Sequence, residues 1–457
     1  MFGGFRKKDK SKVKSTANTN NESSSNGTYG NASLKGTDSN DIEDYTILAA
    51  PQLKDVPLVE QPTLFVKHLR LCQQVFNFDL MENLKEKEAK RILLLGLVDY
   101  INNPNTRIQE TMFMDIIEMV SANIFRTLAP RLDMAGDADD DEPMLEIGWA
   151  HIQVVYEFLL RFVVNTGVEP KVAKKYISQP FILQLLNLFD SEDPRERDYL
   201  KTILHRIYGK FMALRAFIRK AISNVFFCGI YLNDKHNGIA ELLEILGSII
   251  NGFALPLKPE HQHFLVQGLI PLHKVPSIVM FHQQLEYCIM QFVEKDNKMA
   301  EPVVLGLLKY WPHANSPKQL QFLHELEEVF ESIQIPEFRV VTTPLFTRIA
   351  ECLGSQHFQV AERTLLLWNS EFLFSLITQN RAKILPLVYG ILSFNAESHW
   401  NSTVQSLSQN VLRSFQEMDK SLYDEVVKMH NIRIQEMAKV RADRDLIWDS
   451  LQARTIQ

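Results

Sequence analysis

Glycine is scarce in this sequence, which has 18 among 457 residues, whereas an average protein contains about 7%. Gly-rich hairpin turns are missing, and no segment sustains the alternation of apolar and polar residues that is typical of half-buried strands. Both absences argue against a β-sheet protein. A glycine-poor, leucine-rich chain of this length is predicted to be all-α.

Cysteine is also rare, and the four cysteines lie far apart without the spacing of a metal site. Each lies in an apolar helical context: Cys72, Cys228, Cys288 and Cys352. This usage indicates reduced, buried thiols in an intracellular protein. We expect no bound metal and no cofactor.

The features of membrane, secreted and nucleic-acid-binding proteins are missing too. No run of about 18 apolar residues is present to span a bilayer. There is no signal peptide, and Met1-Phe2-Gly3 lacks the second-position glycine of a myristoylation signal. The net charge of -6 and the pI of about 6.1 lack the basic character of a general nucleic-acid binder. We expect a cytoplasmic and/or nuclear protein with no nucleic-acid partner and no membrane span.

Familiar catalytic motifs do not occur. The sequence has no Gly-rich phosphate loop with its lysine, no Gly-x-Ser-x-Gly elbow and no His-Glu-x-x-His. One acidic cluster, Asp137 to Glu142, resembles the magnesium site of an all-helical enzyme. It lies between Gly136 and Pro143, however, and carboxylates need a fixed scaffold to hold such a cation. A solvated acidic loop and a non-catalytic protein are therefore predicted, with an all-helical enzyme as one alternative.

The chain divides into a polar tail and a long apolar-patterned region. Residues 1–44 are rich in Ser, Asn, Thr and Gly, so they bury too little surface to offset the entropy of ordering and are predicted to be disordered. The tail begins with a basic cluster, compatible with a weak nuclear-import or acidic-surface signal or with a simple solvated tail. That cluster consists of Arg6, Lys7, Lys8, Lys10, Lys12 and Lys14.

From about residue 60 to about 440, apolar residues recur at helical spacing in blocks of about 12–20 residues. Prolines beside capping residues predict helix starts. These are Asn103-Pro104, Asp193-Pro194, Ser316-Pro317 and Thr343-Pro344. Because a single core stops growing near about 250–300 residues, stacked helix pairs of about 40 residues fit this length. We predict a HEAT-like solenoid, a superhelix of antiparallel helix pairs, over 45–440, and a partly helical C-terminal tail over 441–457.

One predicted helix carries an unusual polar stripe. Asp193 or Asp190 is suited to cap it. Its apolar face should pack inward and comprises Leu200, Ile203, Leu204, Ile207 and Phe211. The opposite stripe comprises Lys201, His205, Tyr208 and Met212, with Arg206 beside it; Arg215 and Arg219 continue it unless Gly209 ends the helix. Arg and Tyr are favoured at binding hot spots, and His with Arg can hold a carboxylate. An idle solvent-exposed face is the alternative.

A second predicted helix, within residues 237–250, is apolar over more than half of its circumference. Such a helix is either enclosed by its neighbours or lends its surplus apolar face to a groove. Ile245 and Ile249 lie one turn apart on one side. From the sequence alone, full burial of both isoleucines and a place in a groove both remain open.

Several long strings of residues are similar to a known family, the B-prime regulatory subunits of protein phosphatase type 2A. The strings are Asp190 to Asp198, Leu204 to Phe211, His236 to Lys258, Pro271 to Lys274, Glu301 to Val304, Leu308 to Pro312 and His357 to Arg363. The resemblance covers about residues 50–440. It implies a HEAT-like superhelix of about eight repeats that joins a scaffold subunit and a metal-dependent Ser/Thr phosphatase catalytic subunit, and recruits substrates.

The resemblance also implies a binding site for short Leu-x-x-Ile-x-Glu motifs. By this likeness His205 and Arg206 hold the motif's Glu, and Tyr208, Ile245 and Ile249 line the pocket for its Ile. Thr202, Tyr208, Arg215, Lys258 and His261 lie near the Leu end. Residues 228–235, and the part of 256–270 that follows Lys258, depart from the family pattern, which leaves the preferred partners open. Another HEAT-type adaptor or transport scaffold is the alternative to a phosphatase subunit.

Overall fold

A computed structural model describes residues 46–104, 106–128, 143–232 and 235–455. Within these ranges the secondary structure is helical and contains no β-strand, so the predicted all-α fold is confirmed. None of the described helices is long and apolar enough to cross a bilayer. The tail over 1–44, with its Arg6 to Lys14 cluster, and the acidic cluster Asp137 to Glu142 lie outside the described residues.

The α-helices are numbered in chain order. They are α1 (Gln61–Leu71), α2 (Leu84–Asn102), α3 (Phe113–Ile124), α4 (Trp149–Val164), α5 (Pro170–Ala173), α6 (Gln179–Asn187), α7 (Pro194–Lys210), α8 (Arg215–Phe227), α9 (Ile239–Asn251), α10 (Pro259–Phe264), α11 (His282–Lys295), α12 (Ala300–Lys309), α13 (Ser316–Ser332), α14 (Ile335–Leu353), α15 (Phe358–Leu366), α16 (Glu371–Ser398), α17 (Ser402–Met418) and α18 (Lys420–Thr455).

Short tight turns connect several of these helices. The 3₁₀ turns are Leu53–Asp55, Glu110–Met112, Leu188–Asp190, Met212–Leu214, Ile270–Lys274, Pro276–Met280, Asn297–Met299 and Leu367–Asn369. The π-helical turns are Cys228–Leu232 and Leu265–Leu269.

The helices stack in two rows, as expected of a helical-repeat solenoid. In one row α2, α4, α7, α9, α11, α13, α15 and α17 each contact the next. In the other row α12 contacts α14, α14 contacts α16 and α16 contacts α18, while α1 pairs with α3 and α6 with α8. Each helix therefore buries its apolar side against the previous and following repeats, and not against one central core.

Hydrogen bonds between neighbouring repeats show the length of the repeat. Lys201 bonds to Glu244 across 43 residues, and His282 to Glu325 across 43. Asn395 bonds to the Leu353 carbonyl across 42. The predicted repeat of about 40 residues is confirmed.

Two of the four predicted helix starts are correct. Asp193 caps α7 by accepting from the Arg195 amide at 2.9 Å. The α13 helix begins at Ser316, although Asn315 and not Ser316 provides the cap, by accepting from the Lys318 amide at 3.0 Å.

The other two predicted starts are wrong. Asn103-Pro104 follows the end of α2, because a proline ring cannot continue a helix and the next helical turn begins only at Glu110. Pro344 lies inside α14, with Thr343 before it. Both residues are exposed, so the helix tolerates the missing hydrogen bond on its solvent side while the buried side of α14 keeps its packing.

A buried ion-pair network fixes the start of α7 against α4. Glu196 is fully buried and accepts from both terminal nitrogens of Arg126, at 2.7 and 2.8 Å, and from the Tyr156 hydroxyl at 2.6 Å. Arg126 also pairs with Glu146, at 2.6 Å. Because every charge in this network has a partner, α7 and its polar stripe are held in a defined position.

Candidate functional site

The inward face of α7 agrees with the sequence prediction. Its five apolar residues are buried: Leu200, Ile203, Leu204, Ile207 and Phe211. With this face fixed in the core, the remaining residues of α7 are directed to the surface or to the neighbouring helix. The position of the polar stripe follows directly from this packing.

The polar stripe of α7 lies along its junction with α9. Lys201 Nζ is 2.8 Å from Glu244 Oε2 and 2.9 Å from Asp198 Oδ1. One turn later, His205 Nε2 is 3.1 Å from Ser248 Oγ. The stripe is therefore the exposed rim of the junction between α7 and α9, and it bonds to α9 at two points.

His205 and Arg206 are both exposed at this rim. Partial burial and the neighbouring Arg206 charge lower the pKa of His205, which favours the neutral imidazole. A carboxylate placed beside the two side chains would offset both effects. Thr202 lies one turn before Arg206 on the same stripe, and its hydroxyl donates to the Asp198 carbonyl at 3.0 Å.

Ile245 and Ile249 lie on α9 beside the residues that bond to this rim. They are only 2% and 6% exposed, whereas Glu244 and Ser248 beside them reach the surface. The structure therefore favours burial of both isoleucines, one of the two possibilities that the sequence left open. Ile249 is the more accessible of the two.

Tyr208 is held from two sides by arginines of α8. Arg215 lies over its ring at 5.2 Å and donates to the Tyr208 and Gly209 carbonyls, both at 3.0 Å. Arg219 Nη1 donates to the Tyr208 hydroxyl at 3.0 Å. Since α7 ends at Lys210, both arginines belong to the next helix. Their side chains nevertheless contact Tyr208 of the α7 stripe.

A second group of basic side chains adjoins these arginines. His261 stacks on Phe253, with ring centroids 3.7 Å apart, and its Nδ1 is buried without a partner among the described residues. Burial lowers the pKa of His261; the Glu260 charge opposes this, and the charges of Arg219 and Lys258 add to it. Lys258 is exposed at the start of α10.

The structure thus brings most of the predicted site residues together in two linked groups. One is the rim with His205 and Arg206 above the isoleucines of α9, and the other surrounds Tyr208. Arg219 belongs to the second group through its bond to the Tyr208 hydroxyl. It was not assigned to the pocket from the sequence, because this bond depends on how α8 packs against α7. The spacing of Arg215 and Arg219, one helical turn apart, was the available signal.

Comparison with known proteins gives a consistent result. Residues 50–455 match the family described as protein phosphatase 2A regulatory B subunit (B56 family). The 59 kDa regulatory B' eta isoform of serine/threonine protein phosphatase 2A from Arabidopsis thaliana is 54% identical over 410 residues, covering 88% of this chain and 80% of that protein. The human 56 kDa regulatory alpha isoform is 50% identical over 403 residues, covering 88% and 83%. The human delta isoform is 49% identical over 407 residues, covering 88% and 68%.

Proposed function

Because the chain belongs to the B56 family of protein phosphatase 2A regulatory subunits, and is thus not itself the catalytic subunit, we propose that it joins a scaffold and a catalytic subunit and recruits their substrates. The substrates are proteins that carry short Leu-x-x-Ile-x-Glu motifs. The observation that supports recruitment most directly is the exposed His205–Arg206 pair beside α9, whose Ile245 and Ile249 are buried next to this rim.

The acidic end of the motif is the first determinant. Arg206 presents a planar guanidinium in solvent, and His205 offers a ring nitrogen that already bonds to the Ser248 hydroxyl. A glutamate side chain displaces that weak contact and gains charge-assisted hydrogen bonds from both residues. Losing one partner of a well-desolvated charge pair typically costs about 2–5 kcal/mol, and this partly wet rim belongs at the low end.

The apolar anchor is the second determinant. An isoleucine two residues before the glutamate enters between α7 and α9, where it contacts Ile249 and the ring of Tyr208. Burying such a side chain contributes about 1.5–3 kcal/mol. Because Ile245 and Ile249 are largely enclosed, the anchor requires α7 and α9 to separate at the rim. The hydrogen bonds between Lys201 and Glu244 and between His205 and Ser248 are the contacts that adjust.

The motif's leucine end lies toward the second basic group. Tyr208, Arg215 and Thr202 border this end on α7 and α8, and Lys258 with His261 borders it on the α10 side. The side chains there combine apolar ring faces with positive charge. They therefore favour a leucine that is followed by an acidic or phosphorylated residue over one that is followed by a basic residue.

Affinity purification of the full chain from cells, followed by mass spectrometry, tests this function. We expect the scaffold and catalytic subunits in nearly equal amounts, together with motif-bearing proteins. The Arg206→Glu variant should retain both phosphatase subunits and lose the motif-bearing proteins, whereas the same charge change at the exposed Arg413 on α17 should lose neither. Recovery of neither phosphatase subunit would contradict the proposal.

A further inference from the structure

A buried cluster of two histidines and a glutamate lies apart from the proposed motif-binding residues. His273 belongs to the turn Ile270–Lys274, His282 begins α11 and Glu325 lies in α13. His273 and Glu325 have no exposed surface, and His282 is 6% exposed. One potential ligand atom from each residue lies within 4.8 Å of the other two.

The hydrogen bonds of His273 show which atoms face the centre of the cluster. Its Nδ1 is 2.8 Å from the Ile270 carbonyl, which can only accept, so Nδ1 carries a hydrogen. In a neutral ring, Nε2 then presents a lone pair to Glu325 Oε2 at 2.9 Å. Two acceptors at this distance repel unless a proton or a metal ion lies between them.

The His282 ring, nearly perpendicular to that of His273, presents the same ring atom to Glu325. Its Nε2 is 3.0 Å from the same Glu325 oxygen, and its Nδ1 faces Glu286 Oε2 at 3.8 Å. Both rings therefore direct Nε2 to one point while a carbonyl or carboxylate lies behind Nδ1. Histidines that bind metals are oriented by such a second partner.

The charges around this point are unbalanced when both imidazoles are neutral. With neutral imidazoles, the carboxylates of Glu325 and Glu286 give two negative charges in a largely buried region. A single divalent cation neutralises both carboxylates.

We propose that His273, His282 and Glu325 bind one zinc ion that links two successive repeats. Two imidazole nitrogens and one carboxylate oxygen suit zinc, whereas calcium and magnesium prefer oxygen ligands alone. Zinc bonds of about 2.0–2.1 Å in tetrahedral geometry separate the ligand atoms by about 3.3 Å. The nitrogen–oxygen distances of 2.9 and 3.0 Å then need to grow by only about 0.3–0.4 Å.

The residues around the cluster give the ion a path from solvent, and their places in the fold predict an effect on stability. His324 is 56% exposed, and its Nδ1 lies 3.3 Å from Glu286 Oε1, so this pair connects the cluster to the surface. Since Glu325 lies 43 residues after His282, the ion ties α11 to α13 and should raise the melting temperature of this part of the solenoid.

Metal loading of the untagged full chain tests the site. After stripping with EDTA, the protein is loaded with cobalt(II) or zinc and passed over gel filtration. We expect about one bound ion per chain, cobalt d–d absorption typical of four-coordinate sites, loss of that absorption when zinc is added, and a higher melting temperature with zinc. No retained zinc, or cobalt without these bands, would show that protons alone hold the cluster together, and overturns the proposal.

Two variants distinguish zinc bound at this cluster from zinc bound at the protein surface. His282→Gln should lose the ion, whereas His68→Gln, which alters a buried histidine of α1 outside the cluster, should retain it. Equal zinc in both variants overturns the assignment. If His282→Gln does not fold, the cobalt spectrum of the unaltered chain decides.

Discussion

The Tyr208 hydroxyl accepts a 3.0 Å hydrogen bond from Nη1 of Arg219, and this bond ties the last turn of α7 to α8. The ring that borders the proposed isoleucine pocket is therefore positioned by a residue of the next helix. Arg215 supports the same ring from its face. The proposed isoleucine pocket therefore depends on the packing of three helices, α7, α8 and α9, and not on the stripe of α7 alone.

This relationship predicts an indirect effect on binding. Arg219→Gln should weaken a Leu-x-x-Ile-x-Glu peptide by about 2–10-fold, because a hydrogen bond of this kind contributes about 0.5–1.5 kcal/mol. Isothermal titration measures the change. Lys220→Gln, an exposed neighbour on α8, is the control and should bind normally. Normal binding by Arg219→Gln would mean that Tyr208 needs no such support.

Peptide affinity should increase as the pH falls from about 8 to about 6. Burial and Arg206 lower the pKa of His205, so the free imidazole is mainly neutral near pH 7. A bound glutamate favours the imidazolium and raises that pKa, so binding takes up a proton and the Kd decreases as the pH falls through the bound-state pKa. His205→Gln should remove this dependence. A Kd of the unaltered chain that does not change over this range would contradict the role of His205.

The sequence predicted the packing of α7 well, because its inward face follows a simple helical period and Asp193 provides a recognisable cap. It failed at Thr343-Pro344, because an exposed proline can be accommodated inside a helix when tertiary packing fixes the buried side. Local patterns therefore located the helices but did not determine every boundary.

Contacts between repeats were harder to predict. The resemblance to a family supplied the pocket residues, but neither it nor the local pattern indicated that Arg219 bonds to Tyr208. His273, His282 and Glu325 lack a recognisable metal-site spacing, since Glu325 lies 52 residues after His273 and 43 after His282. Such groups meet only when repeats stack, so a one-dimensional pattern does not reveal them.

The buried Glu196 network should matter more for stability than a surface ion pair. Glu196→Gln puts a neutral amide beside Arg126, which keeps only Glu146 as a carboxylate partner, and should reduce the free energy of unfolding by about 2–4 kcal/mol. Glu157→Gln, which removes the more exposed pair with Arg161, should cost less than about 0.5 kcal/mol. Denaturation followed by circular dichroism compares the two variants. Equal effects would show that the buried pair contributes nothing beyond a surface pair.

Deleting residues 1–44 should leave the melting temperature and assembly with the phosphatase subunits essentially unchanged. The prediction rests on composition, because a Ser- and Asn-rich segment has few apolar groups to bury. The distribution of the protein in cells is a separate readout, since the basic cluster from Arg6 to Lys14 is lost. A decrease of several degrees in calorimetry would show that the tail packs on the solenoid.

The central claim is that the proposed motif-binding residues around Arg206 recruit substrates to the phosphatase. The rate of dephosphorylation tests this claim most directly. Complexes assembled from the scaffold, the catalytic subunit and this chain are compared on one phosphorylated substrate with and without a Leu-x-x-Ile-x-Glu motif. We predict that the motif raises kcat/KM by more than about tenfold, equivalent to about 1.4 kcal/mol. Arg206→Glu should abolish this gain while the motif-free rate and the melting temperature stay unchanged. A motif that brings no gain in the unaltered complex, or a gain that survives Arg206→Glu, would contradict the account.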